Sequence, residues 1–137
     1  GIAIRVLRLE HSHYSELDAA SGEMVNKHRN VENLGFYFDV SGTGIFHCGD
    51  TNPLNEDEYK TFRLDKENIH LAFLERLFVL KGERSMEIIQ KYIAPESTVF
   101  MHIRPANKKN IANFYKGADN VIIFSEPFEK YTFSFSQ

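Results

Sequence analysis

The run Gly44-Ile-Phe-His-Cys-Gly-Asp50-Thr51 drives an apolar strand into a glycine and then a carboxylate. Glycine permits a sharp turn or a close backbone approach, so Asp50 is presented at the end of a strand. Two histidines, His11 and His102, follow two other strand-like runs. A carboxylate and two imidazoles, each at a strand end, form a donor set suited to a metal ion. The same Gly-Asp pair also serves as an ordinary turn after a strand.

The elements that must position these residues can be read from pattern. Residues 2–9 form a strand, with Ile4 and Val6 on one face and Ala3, Leu7 and Leu9 taking part in burial. Residues 10–32 are polar and lack a sustained period, a loop long enough to be functional or disordered. Residues 33–40 and 45–48 are two strands joined by Ser41-Gly-Thr-Gly44, which supplies hairpin turn chemistry. The acidic run Glu56-Asp-Glu58 starts a short helix that extends to about Phe62, as the helix dipole favours. Residues 69–74 form a buried strand and residues 83–92 a helix that turns Met86, Ile89 and Ile93, with Ile88 as a further candidate, inward before Pro95. Strands over 98–103, 121–124 and 131–135 and a helix over 107–116 complete the chain. The early hairpin and the later strand–helix alternation predict an α/β fold: one mixed sheet in a single domain, 1–137.

Composition narrows the classes of partner. The 137 residues carry a net charge of −3 and a pI near 6.1, with no basic stripe, so a nucleic-acid partner is not expected. No apolar run approaches the roughly 20 residues that span a membrane. Cys48 is the single cysteine, which precludes an intrachain disulfide and accords with a reducing, cytoplasmic setting. The chain opens at Gly1 and enters a strand almost at once, as a piece of a longer protein would.

The order of these motifs resembles the C-terminal half of a metallo-β-lactamase-fold hydrolase. The residues that carry the resemblance are His11-Ser12, the strand Asn33-Leu-Gly-Phe-Tyr-Phe-Asp39, Ile45-Phe-His-Cys-Gly-Asp-Thr51, Ile69-His-Leu-Ala-Phe-Leu74 and Val99-Phe-Met-His102. The resemblance extends to about Pro105 and lies nearest the branch with lactonase-like and phospholipase-like members. It implies half of an αββα sandwich, one mixed sheet with helices mainly on one face. It also implies two zinc ions in the parent protein and a metal-bound hydroxide that attacks an ester, lactone or phosphodiester. By the same resemblance His11 is the third histidine of the first metal site, Asp50 the bridging aspartate and His102 the last histidine of the second site.

The chain departs from the family pattern in two places. The His-x-His-x-Asp-His signature, which supplies four ligands and the acid/base aspartate, does not occur. His11-Ser-His13-Tyr-Ser-Glu16 begins like it, but Ser15 and Glu16 replace the aspartate and the last histidine. That alignment competes with the one adopted above. Where many members of the branch carry a further histidine, this chain reads Gly82-Glu-Arg-Ser85. The resemblance therefore places the catalytic aspartate in a missing N-terminal half and leaves this chain inactive alone, with a partial or empty zinc site. An isolated half would expose Phe36-Tyr-Phe38, Phe100 and residues 133–135, so self-association into a homo-oligomer is expected.

Several further residues are candidates for the cleft. His13, His28 and Glu16 lie in the polar loop, Glu75 and Arg76 end the strand that starts at Ile69 as an ion pair or as cleft residues, and Arg104 follows His102. Cys48 reads as a small buried hydrophobe. Two classes of function remain open: a metal-dependent hydrolase, of which this is a part, and a non-catalytic binding or assembly domain that keeps the fold.

Overall fold

The computed structural model describes residues 1–124 and 128–135. Six strands form one mixed sheet in the order β1-β4-β5-β6-β7-β8. These are β1 (Ile2–Glu10), β4 (Glu32–Val40), β5 (Thr43–His47), β6 (Ile69–Glu75), β7 (Ser97–Met101) and β8 (Val121–Ile122). β1 and β5 both run antiparallel to β4, and β6, β7 and β8 follow β5 in parallel. The carboxyl ends of β1, β5, β6 and β7 therefore all meet one edge of the sheet. Loops at such an edge are the usual seat of a binding site.

The expected hairpin is present, with Phe38 opposite Ile45 and Phe36 opposite His47. The polar loop is less irregular than its sequence suggests. It holds a two-stranded ribbon of β2 (Ser15–Leu17) and β3 (Met24–Asn26), whose three-residue strands are too short to show a period. Because β1 ends and β4 begins at the carboxyl edge, this ribbon projects there as well. The strand expected over 131–135 does not form. Phe135 instead packs against the His70 ring at 5.1 Å, and Phe133 stacks on Phe135.

Helices α1 (Glu56–Phe62), α2 (Leu77–Leu80) and α3 (Glu83–Ile88), with a π-helical turn Ile89–Ile93, cover one face of the sheet. α4 (Pro105–Phe114) follows β7, with Pro105 at its first position, where a missing N–H costs nothing. Leu7, Leu9, Phe46, Cys48, Ala72, Leu74 and Phe100 meet Tyr59, Leu64, Phe78, Ile88, Ile89 and Ile93 in a single core. Tyr59 buries its hydroxyl but donates it to the Asn52 carbonyl at 3.2 Å. Phe100, expected on the exposed face, lies inside this core; strand alternation places it opposite Val99.

The other face carries Ile2, Ile4 and Val6 of β1 beside Val40, Phe38 and Phe36 of β4. Ile2, Ile4 and Val6 are 67, 60 and 56% exposed. No described helix covers this side of β1 and β4, whose other face packs against α1, α2, α3 and the π-helical turn.

Candidate metal centre

Three adjacent parallel strands deliver three donors to the carboxyl edge. Asp50 lies just beyond β5, Glu75 is the last residue of β6 and His102 comes directly after β7. Ligand atoms of Asp50, Glu75 and His102 all lie within 4.8 Å of one another. Among the described residues this is the one group of three acidic, histidine or cysteine side chains so placed.

Local backbone chemistry sets Asp50. Gly49 adopts φ +65°, and a Cβ there would stand 2.2 Å from Asn33 Oδ1 and 2.7 Å from the Leu34 carbonyl. Asn33, buried at the start of β4, donates Nδ2 to the Cys48 carbonyl at 3.1 Å and accepts the Asp50 N–H at 2.8 Å. Ser12 donates its hydroxyl to Asp50 Oδ1 at 3.0 Å and its N–H to the Asp50 carbonyl at 2.7 Å. The side chain is thus fixed from two strands.

His11 approaches from β1, its Nε2 3.6 Å from Asp50 Oδ2. Its Nδ1 lies 3.0 Å from the Ser12 carbonyl, as does that of His28. A carbonyl only accepts, so each ring carries its hydrogen on Nδ1. His11 Nε2 then faces the aspartate, and either a second ring proton or a cation held between the two satisfies that contact. His28 stacks edge-on against His11 with ring centroids 4.3 Å apart.

The carboxylates repel each other. Glu75 is 2% exposed. Burial first and the Asp50 charge second push its carboxyl up to about 7, against the opposing pull of the Leu77 N–H and Arg76. His47, on the open face beside Asp50, is held below the usual imidazole range by burial and by nearby His102. A buried carboxylate beside another needs a proton or a metal cation. The donor set of hard oxygens and imidazole suits zinc or a comparable divalent ion.

At the level of fold this chain has a solved counterpart. It resembles Igni18, described as a novel metallo hydrolase from the hyperthermophilic archaeon Ignicoccus hospitalis, with a TM-score of 0.56 and 21% identity. The match covers 99% of this chain and 55% of Igni18, so the chain spans about half the length of that protein. At this identity the likeness to Igni18 establishes a shared fold. No protein-family model and no curated protein matches the chain.

The remaining candidate residues fall in three places. His13 lines a cleft of about 460 Å³ that opens beside His11 and also takes in Glu10, His28 and Glu58. Its Nε2 pairs with Glu10 Oε1 at 2.8 Å. Glu16 accepts the Tyr14 hydroxyl and raises that phenol's pKa, while Arg104 pulls it the other way. Glu16 and Arg104 are both exposed and do not line the cleft. Glu75 sits within the donor cluster itself, a closer position than its sequence context implies. Ser12 and Asn33 reach the site although no spacing in the sequence singles them out, and His28, one of the polar-loop candidates, does reach it; each acts through a contact 16 to 38 residues away. Among the described residues no helix is long and apolar enough to cross a membrane.

Proposed function

We propose that the chain is the metal-binding C-terminal half of a metal-dependent hydrolase of the metallo-β-lactamase fold, in its lactonase-like and phospholipase-like branch. The observation that carries this reading is the convergence of Asp50, Glu75 and His102 at the ends of three neighbouring parallel strands. His11, Asp50, Glu75 and His102 would hold the metal, zinc by resemblance. When bound, such ions supply Lewis acidity and an activated water for attack on an ester, lactone or phosphodiester. The chain's own contribution is orientation. Ser12 and Asn33 fix Asp50, the Ser12 carbonyl sets the His11 tautomer, and the fold gathers like charges that repel each other without a cation.

The open face of β1 and β4 supports the second part of the proposal. A complementary layer covers it in the whole protein and supplies the remaining ligands and the acid/base group. The 55% coverage of Igni18 accords with this. The isolated chain covers the face with a second copy of itself and has little or no turnover.

The test is zinc binding by the purified 137-residue chain, together with assays on a nitrophenyl ester, a lactone and bis(nitrophenyl) phosphate. The expected result is zinc uptake that depends on Asp50, with no turnover. Zinc-dependent turnover lost in Asp50→Ala would overturn the inactivity of the half. Failure to take up zinc would overturn the metal centre and favour a binding or assembly domain.

A further inference from the structure

His102 adopts φ +57°, a region that residues with a Cβ rarely occupy. Such a conformation persists where the surroundings over-determine it, and these positions concentrate at functional sites. One residue, Arg76, which lies between the end of β6 and the start of α2, provides the restraint. The Arg76 backbone N–H donates to the Met101 carbonyl at 3.1 Å, and Arg76 Nη1 donates to the His102 carbonyl at 3.2 Å. Those carbonyls belong to the two peptide planes that flank the His102 Cα. Two fixed planes fix φ and ψ, and with them the direction of the Cα–Cβ bond.

We propose that Arg76 is a positioning residue of the candidate metal centre, clamping both peptide planes of His102 so that its imidazole is aimed at Asp50 and Glu75. A second observation agrees. Arg76 Nε is buried and, among the described residues, has no hydrogen-bond partner. It lies 4.0 Å from Glu75 Oε1. Native structures rarely leave such a donor unmet. Here the guanidinium is held for the reach of its terminal nitrogen and for its charge against Glu75. A lysine could offer the same single hydrogen bond to the His102 carbonyl, but from a flexible stem without the planar guanidinium. The inference rests on the metal-centre reading for its purpose and on the backbone geometry for its existence.

The test separates the two. Arg76→Met and Arg76→Lys are compared with the unaltered chain and with Asp50→Ala. The readouts are the His102 Cα and Cβ chemical shifts in the metal-free state, which report a left-handed backbone, and zinc affinity by competition with a chelating dye. Arg76→Met keeps the backbone bond to the Met101 carbonyl but loses the one to the His102 carbonyl, so the left-handed signature weakens and zinc binds about 10- to 100-fold more weakly, as when an outer-shell partner is removed. Arg76→Lys recovers part of both. Asp50→Ala abolishes zinc binding but leaves the His102 shifts in place. Unmoved His102 shifts in a folded Arg76→Met overturn the inference, and so does full zinc affinity in that variant. If the unaltered chain takes up no zinc while the His102 shifts still move in Arg76→Met, the metal-centre reading falls. The clamp on His102 then stands, but its assignment to a metal centre is overturned.

Discussion

Asn33 and Asp50 are joined through a single side-chain amide that also holds the Cys48 carbonyl, so one buried group brackets Gly49 from both sides. Neither bond belongs to the sheet ladder. Asn33→Ala removes both and leaves a buried carbonyl and N–H unmet. The expected cost is about 1–3 kcal/mol of stability. Urea unfolding should show a lower midpoint at unchanged slope, and zinc affinity should fall with it because Asp50 loses its backbone anchor.

Gly49 and Gly42 make a paired test of backbone strain. Both have positive φ, +65° and +92°. A Cβ at Gly42 meets nothing within 4 Å, whereas one at Gly49 meets Asn33 Oδ1 and the Leu34 carbonyl. Gly42→Ala should cost about 1 kcal/mol, the left-handed penalty alone. Gly49→Ala should cost more than about 3 kcal/mol, because a backbone carbonyl cannot swing aside. Equal midpoints for the two variants would contradict the close approach at Gly49.

The Glu75 carboxyl gives stability a defined pH dependence. It titrates near its ordinary value of 4.5 when unfolded and near 7 in the fold. Between those values the folded chain keeps a proton that the unfolded chain has released. Stability of the metal-free protein therefore falls as pH rises from about 4.5 through about 7. Glu75→Gln removes this component and is the more stable form above that window. Urea midpoints for both forms, measured across the window without metal, should diverge; parallel curves would contradict the assignment.

The open sheet face predicts association. Ile4 lies opposite Phe38, and Val6 opposite Phe36, on a side that no described helix covers. Light scattering at micromolar concentration should give a mass above one chain. Ile4→Glu should lower that mass and leave the unfolding free energy within about 0.5 kcal/mol, since the side chain is already exposed. A wild-type mass of one chain would contradict the self-association.

Much of this was legible in the sequence, and the exceptions have physical causes. The hairpin from Asn33 to Cys48 could be read because alternation and turn residues agree. The crossovers after Ile69 could be read because strand and helix periods differ. The ends of β5 and β7 placed Asp50 and His102 correctly near strand termini. Glu75 was expected in the cleft rather than among the donors, because strand order is a property of pairing and leaves no local signal. Tyr131 to Phe135 has the composition of a strand, yet Phe135 packs on His70 instead of pairing. Arg76 was invisible as a clamp because its role depends on the left-handed turn at His102, which no residue type there announces.

The central claim is that the carboxyl edge holds a metal, and zinc anomalous diffraction from crystals of this chain tests it most directly. The account predicts anomalous density bounded by Asp50, Glu75 and His102, with His11 adjoining, and its loss in Asp50→Ala. Crystals saturated with zinc that show no density at this edge, or density that survives Asp50→Ala unchanged, would contradict it.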